Sequence, residues 1–246
     1  MKTVVIGGSG LIGSKLSQRL ADRGHSVLAA SPATGINAVT GEGLQEALQG
    51  ADVVVDVSNA PVFTDEGVMS FFQSAGRNLA AEERRAGVRH HVTLSVVGTD
   101  KLQESGYFRG KLAQETLVSQ AGVPWTVLRV TQFFEFIRSI AEAGASEREI
   151  RVPSARIKPI AADDVADLLA TVAEWPAANG ILEAAGPQEY DIADVVRRTL
   201  QADERPVVAS SESRYFGARV TDATLLPGDR ILPGRTSLET WLSRQV

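Results

Sequence analysis

The chain has 246 residues, 43% of them hydrophobic and 22% charged, with a formal net charge of -5 and no cysteine. That length supports a full core, and the mildly acidic balance leaves no electrostatic footprint for nucleic acid or anionic membrane. The missing cysteines exclude disulfides, thiolate chemistry and Cys-ligated metals. No stretch reaches the ~18 consecutive apolar residues a membrane helix needs. The apolar run at 3–6 is too short for the core of a secretory signal before glycines interrupt it, so the expected location is cytoplasmic.

Residues 2–7 (KTVVIG) are a short β-branched run, as in a buried parallel strand. After a Gly-rich turn, Ile12, Leu16 and Leu20 recur at helical spacing, and Gly24 closes the helix. Strands are predicted at 26–30 and, shorter, at 36–39. A brief helix at 42–49 leads to the apolar strand 52–57 (DVVVDV). Thr64, Asp65 and Glu66 start an amphipathic helix running to about Ala86. A strand at 90–96, a helix at about 106–121 and a strand at 125–130 complete an alternation that implies βαβ units and a doubly wound parallel sheet.

Past residue 131 the alternation weakens. A helix at 132–143, one starting near Asp163 and Asp164, an edge strand at 181–184, a helix at 191–202 and a terminal helix are predicted. The domain reading is a dinucleotide-binding core over 1–150, with a mixed substrate lobe over 151–246 that returns partly to the core. Ligands of such sheets bind beyond the carboxyl ends of the strands, and an irregular C-terminal part over that edge would form a substrate pocket.

Residues 7–13 read GGSGLIG. Gly7 permits the sharp exit from the strand, Gly10 clears a path for pyrophosphate, and Gly13 allows close helix–strand packing. The following helix offers free N–H groups and a favourable dipole to phosphates. Gly7, Gly8, Ser9, Gly10, Leu11, Ile12 and Gly13 are therefore cofactor-binding candidates, and the expected cofactor is a nicotinamide dinucleotide. The segment after the second strand, AASPAT (29–34), lacks the carboxylate that holds an adenosine 2'-hydroxyl. Ser31 and Thr34 are candidates for a 2'-phosphate, which favours NADP with NAD as the alternative.

Tyr107 and Lys111 stand four apart, so on a helix the phenol and ammonium share a face. With Ser95 at the end of a central strand they suit carbonyl reduction. Tyr107 would be the general acid, Lys111 would lower its pKa and hold ribose hydroxyls, and Ser95 would hydrogen-bond the substrate oxygen. Thr131 and Gln132 are candidates for the nicotinamide end. Phe133 and Phe136 are candidates to line an apolar pocket, with Tyr215 and Phe216 as an opposite wall. His90 and His91 adjoin on a strand and point to opposite faces, which argues against a joint metal site; no metal is expected. Asp163 and Asp164 read as helix-capping residues.

Taken together, VVIGGSGLIGSKL (4–16), GVRHHVTLSVVGTD (87–100), the segment 106–136 and AADDVADLL (161–169) resemble the short-chain dehydrogenase/reductase superfamily, in its atypical NmrA-like branch. The resemblance implies a Rossmann-like sheet of about seven strands and a small C-terminal substrate lobe. It implies that Gly7, Gly10 and Gly13 form the pyrophosphate turn, with Ser95, Tyr107 and Lys111 as the catalytic set. Ser58, Asn59 and Ala60 occupy the place of the family's N-N-A-G segment, reading S-N-A-P here, and Pro32 stands where many relatives carry an arginine. The expected activity is NAD(P)H-dependent reduction of a small carbonyl by a monomer or homodimer, and the aromatic candidates suit an apolar or quinone-like substrate. Some relatives bind dinucleotide without turnover and act as redox sensors, which is the alternative reading.

Overall fold

The computed structural model describes residues 1–245. In chain order, β1 (Lys2–Ile6), α1 (Leu11–Asp22) and β2 (Ser26–Ala30) form the first unit. A 3₁₀ turn (Pro32–Thr34) and α2 (Leu44–Leu48) lead to β3 (Val53–Asp56), α3 (Asp65–Ala86), β4 (His90–Val96), α4 (Gly106–Ser119) and β5 (Trp125–Val130). Then come α5 (Ile137–Ala143), β6 (Ile150–Pro153), β7 (Arg156–Ile157), α6 (Ala162–Glu174), β8 (Gly180–Ala185), β9 (Tyr190–Asp191), α7 (Ile192–Thr199), β10 (Val207–Ser210), β11 (Ile231–Pro233) and α8 (Leu238–Ser243).

Seven strands make one sheet in the order β11-β8-β5-β4-β3-β1-β2, and every pairing in it is parallel. This is the doubly wound α/β architecture expected. From β1 the chain crosses outward to β2 and then back to β3 on the other side. The switch point, where such sheets bind ligands, therefore lies between β1 and β3. Two departures from the expected elements stand out. Residues 36–39 form a turn rather than a strand, because the Asn37 side chain accepts from Val39 N and Asn78 Nδ2 takes the carbonyls of Ala38 and Val39. The strand expected at the edge near 181–184 is interior: β11, from the least regular part of the sequence, pairs outside it.

One face of the sheet is covered by α1 and α6. Ile12, Leu16 and Leu20 pack there with Val165, Ala166 and Leu169, and Lys15, Arg19 and Arg23 pair with Asp163, Asp167 and Glu174 along the rim. Asp163 thus serves as an ion-pair partner. Asp164 accepts from Arg235 N, Thr236 N and the Thr236 hydroxyl, tying down the C-terminal segment. The residue that caps α6 is Ala161. On the other face lie α2, α3 and α4, with His91, Thr93 and Ser95 of β4 turned towards α3 and α4. A second core, built from α5, β6, β7, α7 and α8 with Phe108, Phe134 and Tyr215, sits beyond the carboxyl ends of the strands. Phe134 stacks on Trp241 at 5.5 Å between centroids within it. Among the described residues, no helix is long and apolar enough to cross a membrane.

Candidate active site

The Gly-rich turn is shaped by contacts that side chains would block. Gly7 has φ +81°, and a Cβ there would lie 2.9 Å from the Ser58 backbone. At Gly13 a Cβ would meet Gly7 O at 2.1 Å, and at Gly8 it would meet Ala29 at 2.7 Å. The amides of Gly7 and Gly8 both donate to Ala30 O, which fastens the turn to the end of β2. Gly10 differs. It is the exposed N-cap of α1, makes no side-chain cap, and its absent Cβ would meet only Gly7 O, at 3.3 Å. The first turn of α1 holds no acidic residue, so its free amides at Leu11 and Ile12 present an uncontested positive end. These residues fit a dinucleotide pyrophosphate.

Beyond β2, Thr34 Oγ1 accepts from Ser31 N and donates to the Ser31 and Ala29 carbonyls, so this hydroxyl is occupied in closing the 3₁₀ turn. Ser31 Oγ is buried and unpartnered. Beyond β3, Ser58 N donates to Asp56 Oδ1, and Asn59 Oδ1 accepts from Ala60 N. That segment brings the Gly-rich turn, through Ser58, next to the start of α4.

Tyr107 and Lys111 lie one turn apart on α4, as their spacing requires. The Tyr107 phenol is pushed up to about 12 by burial, with the Asn59 side chain working the other way. This corrects the expectation of a phenol lowered by Lys111. The ammonium is turned beneath the helix instead, donating to Leu94 O at 2.7 Å and Gln114 Oε1 at 2.5 Å, 4.7 Å over the Phe72 ring. Burial lowers Lys111 to about 8, opposed by the carboxylates of Asp56 and Glu115. Gln114 in turn donates to Asp56 Oδ2 at 2.7 Å, so a buried chain Lys111–Gln114–Asp56 fixes the ammonium.

Ser95 does not join them. Its hydroxyl donates to Glu115 Oε1 at 2.5 Å, and Arg129 grips the same carboxylate through Nε and Nη2 at 3.0 and 2.7 Å. Glu115 is eight residues from Tyr107, about 12 Å along a helix. The hydroxyl of the expected catalytic serine is thus engaged by a buried carboxylate. Thr131 likewise spends its hydroxyl on Lys158 O at 2.6 Å. Gln132 is buried with both amide atoms unpartnered.

The aromatic candidates separate by burial. Phe133 is buried and stacks on the exposed Phe136 at 5.5 Å. Tyr215 is buried and tilts against Phe108 at 6.3 Å, while Phe216 is exposed. Phe63, 69% exposed, lies 6.1 Å from Tyr107. His90 and His91 do point apart, to Thr126 on one side and to Glu83 and Thr93 on the other. Asp56, Gln114, Glu115 and Arg129 were absent from the sequence reading. The signals for them were a carboxylate ending an all-apolar strand and the i+3 and i+4 positions after Lys111.

The chain is 28% identical over 233 residues to a probable dTDP-4,6-dihydroxy-2-methyloxan-3-one 4-ketoreductase of Streptomyces antibioticus, an alignment covering 82% of this chain and 78% of that one. A photosystem II assembly factor, Ycf39, of Synechocystis sp. is 22% identical over 149 residues, covering 55% and 46%. Of that second relative the chain spans less than half. Among solved structures, MoeE5 in complex with UDP-glucose and NAD superposes with TM-score 0.74 at 20% identity, covering 100% and 99%. A dTDP-4-dehydrorhamnose reductase of Bacillus anthracis in complex with NADP gives 0.73 at 14% identity, covering 99% and 97%. Residues 7–176, from the Gly-rich turn through α6, match the NAD(P)H-binding family, and the chain belongs to that family.

Proposed function

We propose that the protein is an NAD(P)H-dependent oxidoreductase of the short-chain type that reduces the carbonyl of a small apolar or quinone-like molecule. The observation that carries this reading is the path Gly7–Ser58–Asn59–Tyr107. It sets the phenol beside the loop that adjoins the pyrophosphate turn, with Lys111 one turn below. The names of the ketoreductase relative and the reductase neighbour support the same chemistry. NADPH is the preferred donor, because no carboxylate stands in 29–34 to repel a 2'-phosphate.

Gly7, Gly10, Gly13 and the first turn of α1 would hold the pyrophosphate, and Lys111 would reach the ribose hydroxyls only by giving up its bonds to Leu94 O and Gln114. A dinucleotide held there would supply the hydride, two electrons and one proton, for the carbonyl carbon. As the C=O π bond breaks, its electron pair moves to oxygen, and Tyr107 delivers the proton that completes the alcohol. The tyrosinate is then reprotonated from solvent. Apolar side chains at Phe63, Phe136 and Phe216 are exposed, which suits a flat or apolar substrate.

One observation favours the alternative of a non-catalytic NAD(P)-binding sensor: Lys111 is held by Leu94 O and Gln114, and Tyr107 is raised rather than lowered. The test is fluorescence titration with NADPH and NADH, followed by cofactor oxidation with a panel of quinones, aromatic ketones and nucleotide keto-sugars. Acceptor-dependent oxidation supports the reductase, and tight binding without oxidation supports the sensor.

A further inference from the structure

A carbonyl oxygen gaining negative charge is best met by more than one preorganised donor. Tyr107 is one. Ser95, the residue expected to be the second, is committed to Glu115. The place is left for another buried polar group near Tyr107, and the C-terminal segment brings one.

Tyr215 and Ala218 exchange both backbone bonds, Tyr215 N to Ala218 O at 2.8 Å and Ala218 N to Tyr215 O at 3.0 Å. The two residues between them, Phe216 at φ +45° and Gly217 at φ +89°, form a tight hairpin turn of left-handed backbone. A phenylalanine in that region is unfavourable, and such conformations persist where the surroundings over-determine them, often at functional sites. The effect of this turn is to leave Phe216 at the surface and drive Tyr215 inward, to 5% exposure. The Tyr215 ring lies against Phe108, whose own ring is 5.3 Å from Tyr107, and both tyrosines pack on one apolar cluster. Gln132, at the end of β5, is buried with its amide nitrogen and oxygen both unpartnered. No hydrogen bond of ordinary geometry fixes this amide, and it borders the Tyr215 phenol.

Resting on the reductase reading above, we propose that Tyr215 is a second phenol of the active site. It donates a hydrogen bond to the same substrate oxygen that Tyr107 protonates, with Gln132 holding it in place. No proton is transferred from Tyr215. Burial holds its hydroxyl above the ordinary tyrosine range, and the nearby Tyr107 adds to the rise while Gln132 opposes it. It is a donor throughout the working pH range. The fitting substrate has an unhindered carbonyl on a flat apolar frame, so that two phenols reach one oxygen.

The experiment compares the wild-type protein with Tyr215→Phe and Ser95→Ala, using NADPH and 9,10-phenanthrenequinone. Tyr215→Phe keeps the ring, so its NADPH affinity should match the wild type and its thermal midpoint should fall by only a few degrees, the cost of one lost contact with Gln132. Its kcat and kcat/KM should fall together, by roughly 10²–10³-fold for a donor that acts in the transition state, while Ser95→Ala keeps its kcat. An unchanged kcat in Tyr215→Phe, or a loss confined to KM, overturns the role of Tyr215 and leaves the reductase reading intact. Failure of the wild-type protein to oxidise NADPH with this quinone or any member of the carbonyl panel removes the reductase reading, and this inference with it.

Discussion

Ser95 and Glu115 are joined by a 2.5 Å hydrogen bond from hydroxyl to carboxylate, which commits the hydroxyl of the expected catalytic serine to a buried ionic unit. Arg129 completes the unit: it faces Ser95 across β4 and β5, holds Glu115 with two donors and reaches Asp100 with a third at 2.6 Å. Ser95→Ala should then act on stability and leave turnover alone. It removes one bond to a buried carboxylate that keeps two others, a cost of about 1–3 kcal/mol by urea denaturation. A fall in kcat with unchanged stability would reinstate Ser95 as a catalytic group.

Removing either ionic partner should be harsher. Arg129→Met leaves the Glu115 carboxylate buried without its counter-ion, which typically costs about 3–5 kcal/mol. The double variant Arg129→Met/Glu115→Gln should recover part of that loss. Equal stability of the single and double variants, measured by denaturant midpoints, would show that the pair is not coupled.

Gly10→Ala and Gly13→Ala should both weaken nucleotide binding but differ in their effect on the fold. At Gly13 the new methyl meets backbone at 2.1 Å, so Gly13→Ala should damage both the fold and nucleotide binding. At Gly10 the nearest atom is 3.3 Å away, so the fold should survive while NADPH affinity drops, because that side is where the pyrophosphate approaches. Thermal midpoints and fluorescence titrations of the two variants decide it. A Gly10→Ala protein that binds NADPH normally would place the phosphates elsewhere.

Lys111 provides a pH test. Burial lowers it to about 8, and the carboxylates of Asp56 and Glu115 hold it from falling further. Asp56→Asn removes one of these, so the ammonium should be lost at lower pH. The basic limb of the kcat/KM profile should move towards neutrality relative to the wild type. A limb that stays in place would mean that it reports a group other than Lys111.

His90 should set part of the stability profile. Burial, with the field of His91 adding to it, lowers His90 to about 4, against roughly 6.5 in the unfolded chain. Between those values the unfolded state binds the extra proton. His90 therefore contributes stability that is fully present above about pH 6.5 and is lost as the pH falls to about 4, on the order of 3 kcal/mol. His91, raised because Glu83 outweighs its burial, runs the other way: its contribution is present below about pH 6.5 and lost as pH rises through its folded value. Denaturant midpoints of His90→Asn should show a shallower decline from pH 6.5 to 4 than the wild type, and an equal decline would contradict the assignment.

The elements around the site were legible because each announces itself locally. The run KTVVIG, the glycine spacing, Ile12–Leu16–Leu20 and the apolar DVVVDV strand each carry their own period. What depends on distant partners was not. Residues 36–39 have strand-forming side chains, but Asn37 bonds its own backbone and Asn78 captures the carbonyls. The interior position of β8 depends on a three-residue strand, Ile231–Pro233, too short to carry any periodicity. The spacing of Tyr107 and Lys111 could be read from helical geometry, whereas the diversion of Ser95 to Glu115 required knowing which face of β4 meets α4. Tyr215 and Phe216 could be named together as a pocket wall from their aromatic character, but not told apart. The turn that drives it inward rests on a left-handed phenylalanine, which no propensity would place there.

Whether a dinucleotide bound at the Gly-rich turn reduces a carbonyl with Tyr107 as acid is decided by following NADPH absorbance with a quinone acceptor for the wild-type protein and for Tyr107→Phe. Saturable oxidation is expected of the wild type, with a variant that binds NADPH at unchanged affinity but has lost roughly 10²–10⁴ in rate. A Tyr107→Phe protein that oxidises NADPH as fast as the wild type would contradict that expectation.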